Sequence, residues 1–147
     1  MSIGTLIRFE HEYEHEVESS RFKPKEDCMK YVDGYVLPVP KKNLPAYRRM
    51  AAKAGKVWRE HGALEFRECV GEDLKTKKIK SFPSLVKPKP GETVVFSWIV
   101  FKSRAHRDAV NAEVMKDPRL AEMMDMKSMP FDPKRMAYGG FEVMVDV

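Results

Sequence analysis

The sequence predicts an α+β fold of the ferredoxin-like type, a split β-α-β arrangement with a four-stranded antiparallel sheet and two helices on one face. The chain has 147 residues, of which 43% are hydrophobic and 33% charged, which is typical of one globular domain. Four segments alternate as strands do and two have helical spacing, in the order β-α-β and again β-α-β. One strand segment is apolar on both faces, which places it in the middle of the sheet.

Residues 1–29 form an N-terminal extension that differs from the rest of the chain, and we assign residues 30–147 to one domain. Within residues 7–17 apolar, aromatic or histidine side chains alternate with charged ones, which is a strand pattern. On such a strand His11 and His15 would lie about 13 Å apart, too far to share one metal ion. The extension is therefore predicted to be an added edge strand, a mobile arm, or a segment upstream of an internal start.

The first β-α-β unit starts with a β-rich run over residues 31–39. A helix is predicted to open at Leu44, because apolar residues then recur every three or four positions as far as His61. Gly62 directly after this helix is typical of a C′ glycine. Residues 63–70 alternate again and form the second predicted strand.

The second unit contains the most hydrophobic segment, residues 93–101, which is the third predicted strand. Ser103 is a suitable N-cap for a helix over residues 104–116. The pair Asp117-Pro118 then indicates the start of a further short helix. The fourth strand is predicted over residues 135–147.

A long loop over residues 71–92 joins the two units and carries the densest basic run of the chain. A nucleic-acid module usually interleaves aromatic side chains with its lysines, and here only Phe82 is near. Phe82 stands between Ser81 and Pro83, which indicates an anchor for the loop. We interpret the lysines as a solvated surface and expect no nucleic-acid partner, with anion binding by this loop as the less favoured reading.

The pattern of the third strand also predicts a partner. Helices on one face leave the other face of the sheet bare, yet both faces of residues 93–101 are apolar. A domain of this size has no further segment with which to cover that face, and a large apolar patch marks an interaction site. We therefore expect a homodimer in which two sheets pack face to face about a twofold axis.

The number of cysteines and the hydropathy of the sequence indicate the cellular compartment in which the protein is expected. The two cysteines, Cys28 and Cys69, are too few for a disulfide scaffold, and Cys69 is predicted to be a small core residue. The apolar run over residues 93–101 is much shorter than the roughly 20 residues of a membrane span, and the N-terminus has no signal-peptide pattern. A cytoplasmic protein without a membrane partner is the expectation.

Several long runs resemble the YbaA-like family, a bacterial family of domains of unknown function. These runs include Tyr31-Val-Asp-Gly-Tyr-Val-Leu-Pro-Val-Pro, Glu92-Thr-Val-Val-Phe-Ser-Trp-Ile-Val-Phe and Met129-Pro-Phe-Asp-Pro-Lys-Arg-Met-Ala-Tyr-Gly-Gly-Phe-Glu. The resemblance covers about residues 30–144 and implies membership of the dimeric α/β-barrel superfamily, in which ferredoxin-like sheets pair into a barrel. It implies no particular activity, because relatives in that superfamily include cofactor-free monooxygenases, haem-degrading enzymes, isomerases and chlorite dismutases.

In such a fold the expected pocket lies between the sheet and its own helices. His61 and Tyr35 are the candidate catalytic residues, since a histidine at the end of the apolar stripe of a helix can act as a general base near neutral pH. The alternative is a helix-terminal histidine stabilised by the dipole. The candidate residues of the ligand pocket, which carry usable polar or aromatic groups, are Trp98, His106, Arg135, Tyr138 and Glu65.

The sequence contains no phosphate-binding glycine loop, no nucleophile motif and no metal-ligand spacing in the main domain. We therefore expect neither cofactor nor metal. The predicted function is a small-molecule enzyme or binder, of the cofactor-free monooxygenase or isomerase type. The alternative is a non-catalytic dimeric module with a regulatory or stress-associated binding role.

Overall fold

The computed structural model describes residues 29–147 of the chain. The predictions for the N-terminal extension, including the strand over residues 7–17 and its two histidines, lie outside the described residues. The domain boundary at residue 30 stays a prediction, because residues 1–28 lie outside the described part of the chain.

The strands form one four-stranded sheet in the order β2-β3-β1-β4, and each neighbouring pair is antiparallel. They are β1 (Tyr31–Pro40), β2 (Glu65–Val70), β3 (Glu92–Phe101) and β4 (Ala137–Glu142). The most apolar segment, β3, is an inner strand because it pairs with both β1 and β2. The prediction of an α+β fold with an antiparallel four-stranded sheet is confirmed.

The helices are α1 (Leu44–Glu60), α2 (Pro83–Val86), α3 (Arg104–Lys116) and α4 (Pro118–Met123), with short 3-10 turns at Lys41–Asn43 and Pro133–Arg135. The predicted caps are confirmed: the Ser103 hydroxyl accepts the His106 N–H at 3.1 Å, and Asp117 Oδ1 accepts the Arg119 N–H at 3.0 Å. Gly62 after α1 has φ +116°, a left-handed conformation that favours glycine.

Helices α1, α3 and α4 cover one face of the sheet and form the core with it. One cluster of buried residues joins β3 to all three helices and consists of Val57, Ala63, Ile99, Phe101, Val110, Val114 and Leu120. A second cluster joins β1 and β3 to the first half of α1 and consists of Leu37, Val39, Tyr47, Ala51 and Val95. Strand alternation therefore places one parity of β1 and one parity of β3 under the helices.

The opposite parity forms what we call the open face, the face of the sheet away from α1, α3 and α4. Its apolar members on the strands include Val32, Val36, Val94, Phe96, Trp98, Val100 and Phe141. Val94 is 2% exposed, so the expectation that the chain covers no part of this face is wrong at this position. Phe96 is 40% exposed and Phe141 is 61% exposed. The short helix α2 lies against β1, and Phe82 next to it places its ring 5.5 Å from the ring of Phe96, so the prediction that this residue anchors the loop is confirmed.

Three local predictions differ from the structure. Strand β4 covers Ala137–Glu142 rather than residues 135–147, and the chain after it makes one backbone hydrogen bond, from the Val143 N–H to the carbonyl of Lys30, the residue before β1. Cys69 is exposed rather than buried, because its parity in β2 points to the open face. The loop between β2 and β3 contains the unpredicted helix α2.

Candidate functional site

A cavity of about 180 Å³ lies between the sheet and helices α1, α3 and α4. Its wall is mainly apolar and includes the aromatic residues Trp58, Phe66 and Phe131. Six methionines also line it, namely Met50, Met115, Met123, Met124, Met129 and Met136. Unbranched thioether side chains adapt to ligands of different shape, so this wall suits a small organic molecule.

A row of polar side chains crosses the sheet on the cavity side, which we call the polar row. In the strand register Tyr35 lies opposite both Ser97 and Tyr138, and Ser97 lies opposite Glu68. One residue from each strand, Glu68, Ser97, Tyr35 and Tyr138, therefore shares one level and one face. All four line the cavity, so polar groups are concentrated on one line across an otherwise apolar chamber.

Glu68 is the titratable group at one end of the polar row. Its Oε2 accepts a hydrogen bond from the Tyr47 hydroxyl at 2.7 Å. Glu68 lies on the edge strand β2 and is an exposed residue. The protein atoms around its carboxyl nevertheless desolvate it enough to raise its pKa above the usual value. Hydrogen bonds from Tyr47 and Ser97 lower the pKa but do not outweigh the desolvation. A carboxylate of this kind is a stronger base than an exposed glutamate.

The other end of the polar row is fixed by a buried ion pair. Arg107 Nη1 donates to Asp33 Oδ1 at 3.0 Å and to the Tyr138 hydroxyl at 2.8 Å, and that hydroxyl donates to Asp33 Oδ1 at 3.0 Å. Asn111 Nδ2 donates to the second oxygen of Asp33 at 3.3 Å, while its own oxygen accepts from Trp58 Nε1 at 3.0 Å. Asp33 is 0% and Arg107 4% exposed. The network holds Tyr138 and Asn111, both cavity residues, in fixed positions.

Two of the residues selected from the sequence meet in this cavity. Tyr35 and Tyr138 both line it, with ring centroids 5.0 Å apart. Trp98 borders it as the neighbour of Ser97 and Ile99, but its ring lies on the open face, 5.4 Å from the ring of Phe96. The sequence therefore identified part of the polar row and one residue of the opposite face.

Four of the selected residues lie elsewhere. His61 follows the last turn of α1, and its Nε2 lies 2.9 Å from Asp117 Oδ2, at the start of α4. His106 Nδ1 accepts the backbone N–H of residue 102 at 3.0 Å, and burial lowers the pKa of this imidazole. Arg135 binds both carboxylate oxygens of Glu92, at 2.7 and 2.9 Å. Glu65 is exposed, on the parity of β2 that points to the open face.

Sequence reasoning missed Glu68, Tyr47, Ser97, Asp33 and Asn111. Glu68 and Ser97 had a signal, because each interrupts an apolar parity of its strand. Asp33 likewise interrupts the apolar parity of β1. A polar residue within a buried parity must find a partner, which makes it a candidate for a network or a site.

Within residues 29–147 no group of three or more histidine, cysteine or acidic side chains has the geometry to hold a metal ion. In the same part of the chain, no helix combines the length and apolar character required to cross a bilayer.

The fold and the cavity define a class: α+β proteins in which helices on an open antiparallel sheet enclose an apolar chamber with a basic carboxyl. A match to a family model assigns the chain to one family within this class. Residues 30–133 match the family described as "Protein of unknown function (DUF1428)", and the chain belongs to this family. It is 50% identical over 118 residues to the protein called "Uncharacterized protein YbaA" of Escherichia coli K12, covering 80% of this chain and 99% of that protein.

Solved structures with a related arrangement are more distant. A NIPSNAP family protein of unknown function from Agrobacterium tumefaciens is 14% identical with a TM-score of 0.49, covering 80% of this chain and 89% of its own. A conserved protein of unknown function from Bacteroides thetaiotaomicron, described as a possible oxidoreductase, is 12% identical with a TM-score of 0.47, covering 80% of this chain and 99% of its own.

We predict that Asp33→Ala lowers the free energy of unfolding by about 3–5 kcal/mol, because it leaves the buried Arg107 guanidinium without its buried carboxylate. Urea denaturation measures the change. Lys116→Ala is the control: it removes an exposed pair with Glu113, whose side chains are 72% and 58% exposed, and costs less than about 1 kcal/mol. Replacing both Asp33 and Arg107 by apolar residues should recover most of the loss. A cost for Asp33→Ala no larger than that of the control would contradict the prediction.

We also predict that Glu68→Gln stabilises the protein at neutral pH. The folded-state pKa of Glu68 is raised, so the folded protein binds the proton more tightly than the unfolded chain. Wild-type stability therefore falls as the pH rises from the usual pKa of a glutamate, 4.5, through the raised pKa of Glu68 in the folded protein, and the glutamine variant escapes this loss. The difference should vanish in acid, where both states of Glu68 are protonated. Urea denaturation across that pH range, with Glu65→Gln as the exposed control, measures it, and a difference independent of pH would contradict it.

Proposed function

We propose that this chain is a small-molecule enzyme or binder whose ligand occupies the cavity, and that Glu68 exchanges a proton with that ligand. The observation that supports this proposal most directly is a carboxyl of raised pKa that lines an apolar cavity of about 180 Å³. Apolar walls with a few convergent polar groups and a perturbed titratable residue are the usual composition of a ligand site.

The size of the cavity restricts the ligand. An apolar cavity of about 150 Å³ accommodates one benzene molecule. The present cavity, at about 180 Å³, therefore fits a molecule of one ring with a short substituent, or an aliphatic molecule of equal size. A ligand of this size in contact with Glu68 also lies near Ser97 and Tyr35, the next members of the polar row.

The proposed reaction uses both protonation states of the Glu68 side chain and the hydroxyl groups beside it. As a carboxylate it can take a proton from a carbon next to a carbonyl, and the C–H electron pair then becomes the C=C bond of the enolate. Where the enolate is conjugated with a neighbouring C=C bond, the carboxylic acid returns the proton to the far carbon of that bond. The C=C bond thereby moves into conjugation with the re-formed carbonyl, which gives an isomer without any oxidant or reductant. Hydroxyl groups of the polar row are placed to hydrogen-bond the enolate oxygen. Burial raises the pKa of Tyr47 well above its usual value, so its phenol stays protonated and donates to Glu68.

The same deprotonation begins the monooxygenase alternative, in which the carbanion reacts with dioxygen. Isomerisation is favoured here because it needs only the proton that Glu68 already handles. The non-catalytic binding module shares the cavity and the ligand but predicts that Glu68 transfers no proton. The two roles are therefore separated by measuring occupancy of the cavity and proton exchange in one sample.

The test uses acetophenone, a single ring with an enolisable methyl ketone. In protein labelled with ¹³C at the methionine methyls, ligand in the cavity should shift the six cavity methionines and leave the exposed Met126 and Met144 unchanged. Deuterium entry into the acetophenone methyl in D₂O should be faster with wild-type protein than with Glu68→Gln by about 10²–10⁴-fold.

Controls separate binding from catalysis. Ala54→Leu, which fills the cavity, should abolish both signals, whereas Ala112→Leu at an exposed position of α3 should abolish neither. Cavity shifts with equal deuterium entry in wild type and Glu68→Gln would support the binding module over the enzyme. Absence of cavity shifts with acetophenone and with other single-ring compounds would refute the site.

For the architecture we propose a ferredoxin-like subunit that pairs with a second copy through the open face, as in dimeric α/β barrels. Exposed aromatic side chains on that face, Phe96 and Phe141, support this proposal. The charged residues that β2 adds to the face, Glu65 and Arg67, are of opposite sign, so an identical partner meets no excess of like charge. The proposed compartment is the cytoplasm, with Cys69 as a free thiol.

We predict that the chain sediments at micromolar concentration with twice its mass of 17.0 kDa. Phe141→Asp should give the single-chain mass, because it buries a charge in the proposed interface while leaving the monomer core intact. Ile79→Asp is the control, since Ile79 is 75% exposed in the β2–β3 loop. A wild-type protein that sediments as one chain would show that the open face stays uncovered by a copy.

A further inference from the structure

A second depression lies next to the cavity, between α1 and the edge strand β2. Its cationic lining residues are Arg48, Arg49, Lys56, Arg59 and Arg67, and its acidic lining residue is Glu68. We call it the cationic groove. It shares Tyr47, Ala51, Phe66, Arg67 and Glu68 with the cavity, so the two spaces meet at the side chain of the proposed base.

The cations of the groove have few carboxylate partners. Within the described residues Arg48, Arg49 and Lys56 form no ion pair at 4.0 Å or less, and Arg59 and Arg67 each donate Nη1 to a backbone carbonyl, at 3.0 and 3.2 Å. By contrast, the exposed Arg119 on α4 is paired with both Glu60 and Asp117. The groove therefore presents an excess of positive charge beside the cavity, which attracts anions.

We propose that the ligand of the cavity carries a carboxylate, which binds in the cationic groove while the apolar body of the ligand enters the cavity. This inference rests on the proposed function and specifies its substrate class as small organic carboxylates. Arg48 is the proposed anchor on the α1 side of the groove, since the register of β2 places the side chain of Arg67 on the open face. The planar guanidinium of Arg48 suits a carboxylate, which it can bind through two parallel hydrogen bonds.

The arrangement also solves an electrostatic problem of the proposed reaction. A substrate carboxylate close to the Glu68 carboxylate repels it, and abstraction of a proton adds further negative charge to the substrate. Cations that line the groove on the α1 side, such as Arg48 and Lys56, offset the charge of the substrate carboxylate. Hydroxyl groups of the polar row serve the enolate, so different groups compensate the two charges of the substrate.

The test compares benzoate with benzyl alcohol, a neutral molecule of nearly the same size. Affinities are read from the cavity methionine methyls in ¹³C-labelled full-length protein. At low salt benzoate should bind at least about 10-fold more tightly than benzyl alcohol, and the preference should shrink as salt rises. Arg48→Gln and Lys56→Gln should each weaken benzoate several-fold and leave benzyl alcohol unchanged.

Lys53→Gln is the matched control, since Lys53 is an exposed lysine of α1 outside the groove and its loss changes the net charge equally. It should leave both affinities unchanged. Equal affinity of benzoate and benzyl alcohol with normal cavity shifts would overturn this inference and leave the proposed function standing. Loss of benzoate affinity in Lys53→Gln equal to that in Lys56→Gln would also overturn it. A lack of cavity shifts with every compound would instead refute the proposed function.

Discussion

The ion pair between Asp33 and Arg107 fixes helix α3 on strand β1, and the candidate site depends on that fixation. Both side chains are almost completely buried, so a shift of α3 along the sheet would separate the Asp33 carboxylate from the Arg107 guanidinium in a medium of low dielectric constant. Arg107 would keep its pair with Asp108 of the same helix, 2.7 Å from its Nε. The same pair binds the Tyr138 hydroxyl on β4 and the Asn111 amide on α3. One interaction therefore sets the distance between the sheet and the helix that forms one wall of the cavity.

Two carboxylates on the helix side of the sheet have opposite surroundings, and this contrast explains their different roles. Asp33 faces a guanidinium at 3.0 Å and an amide, which compensate its charge. Glu68 faces the neutral hydroxyls of Tyr47 and Ser97, which offer hydrogen bonds but no positive charge. At Asp33 a positive charge compensates the cost of desolvation. At Glu68 hydrogen bonds compensate it only in part, and the pKa of the carboxyl rises. Asp33 therefore fixes the packing of α3 on the sheet, and Glu68 is the carboxyl for which we propose proton exchange.

Local signals in the sequence predicted the elements well, because they depend on nearby residues only. The hydroxyl of Ser103 and the carboxylate of Asp117 cap helices within three residues of themselves, so their roles are readable from the chain alone. The position of His61 at the end of α1 was equally predictable from nearby residues. Its partner Asp117 is 56 residues away, so the sequence did not indicate this contact, which draws the ring toward α4 rather than into the cavity.

The candidate site was predicted only in part because it is assembled by register. Alternation alone divides β2 into two faces, with Glu68 on one and Glu65 on the other, but does not say which face the helices cover. That is decided by the pairing of Glu68 with Ser97 and of Ser97 with Tyr35, contacts between strands far apart in the chain. Asp33 and Arg107, separated by 74 positions, are linked in the same non-local way.

Strand β3 connects the two surfaces that carry the proposals. Ser97 lies in the polar row, and its neighbour Trp98 lies on the open face, with a ring that packs against Phe96. Because successive residues of a strand point to opposite faces, a side chain held on one face restricts the backbone that carries the next side chain on the other. A second copy packed on Trp98 would therefore hold Ser97 more firmly, and with it the hydrogen bond that Ser97 makes to Glu68. In the proposed dimer, pairing of the subunits would in this way be coupled through β3 to the basicity of the Glu68 carboxyl.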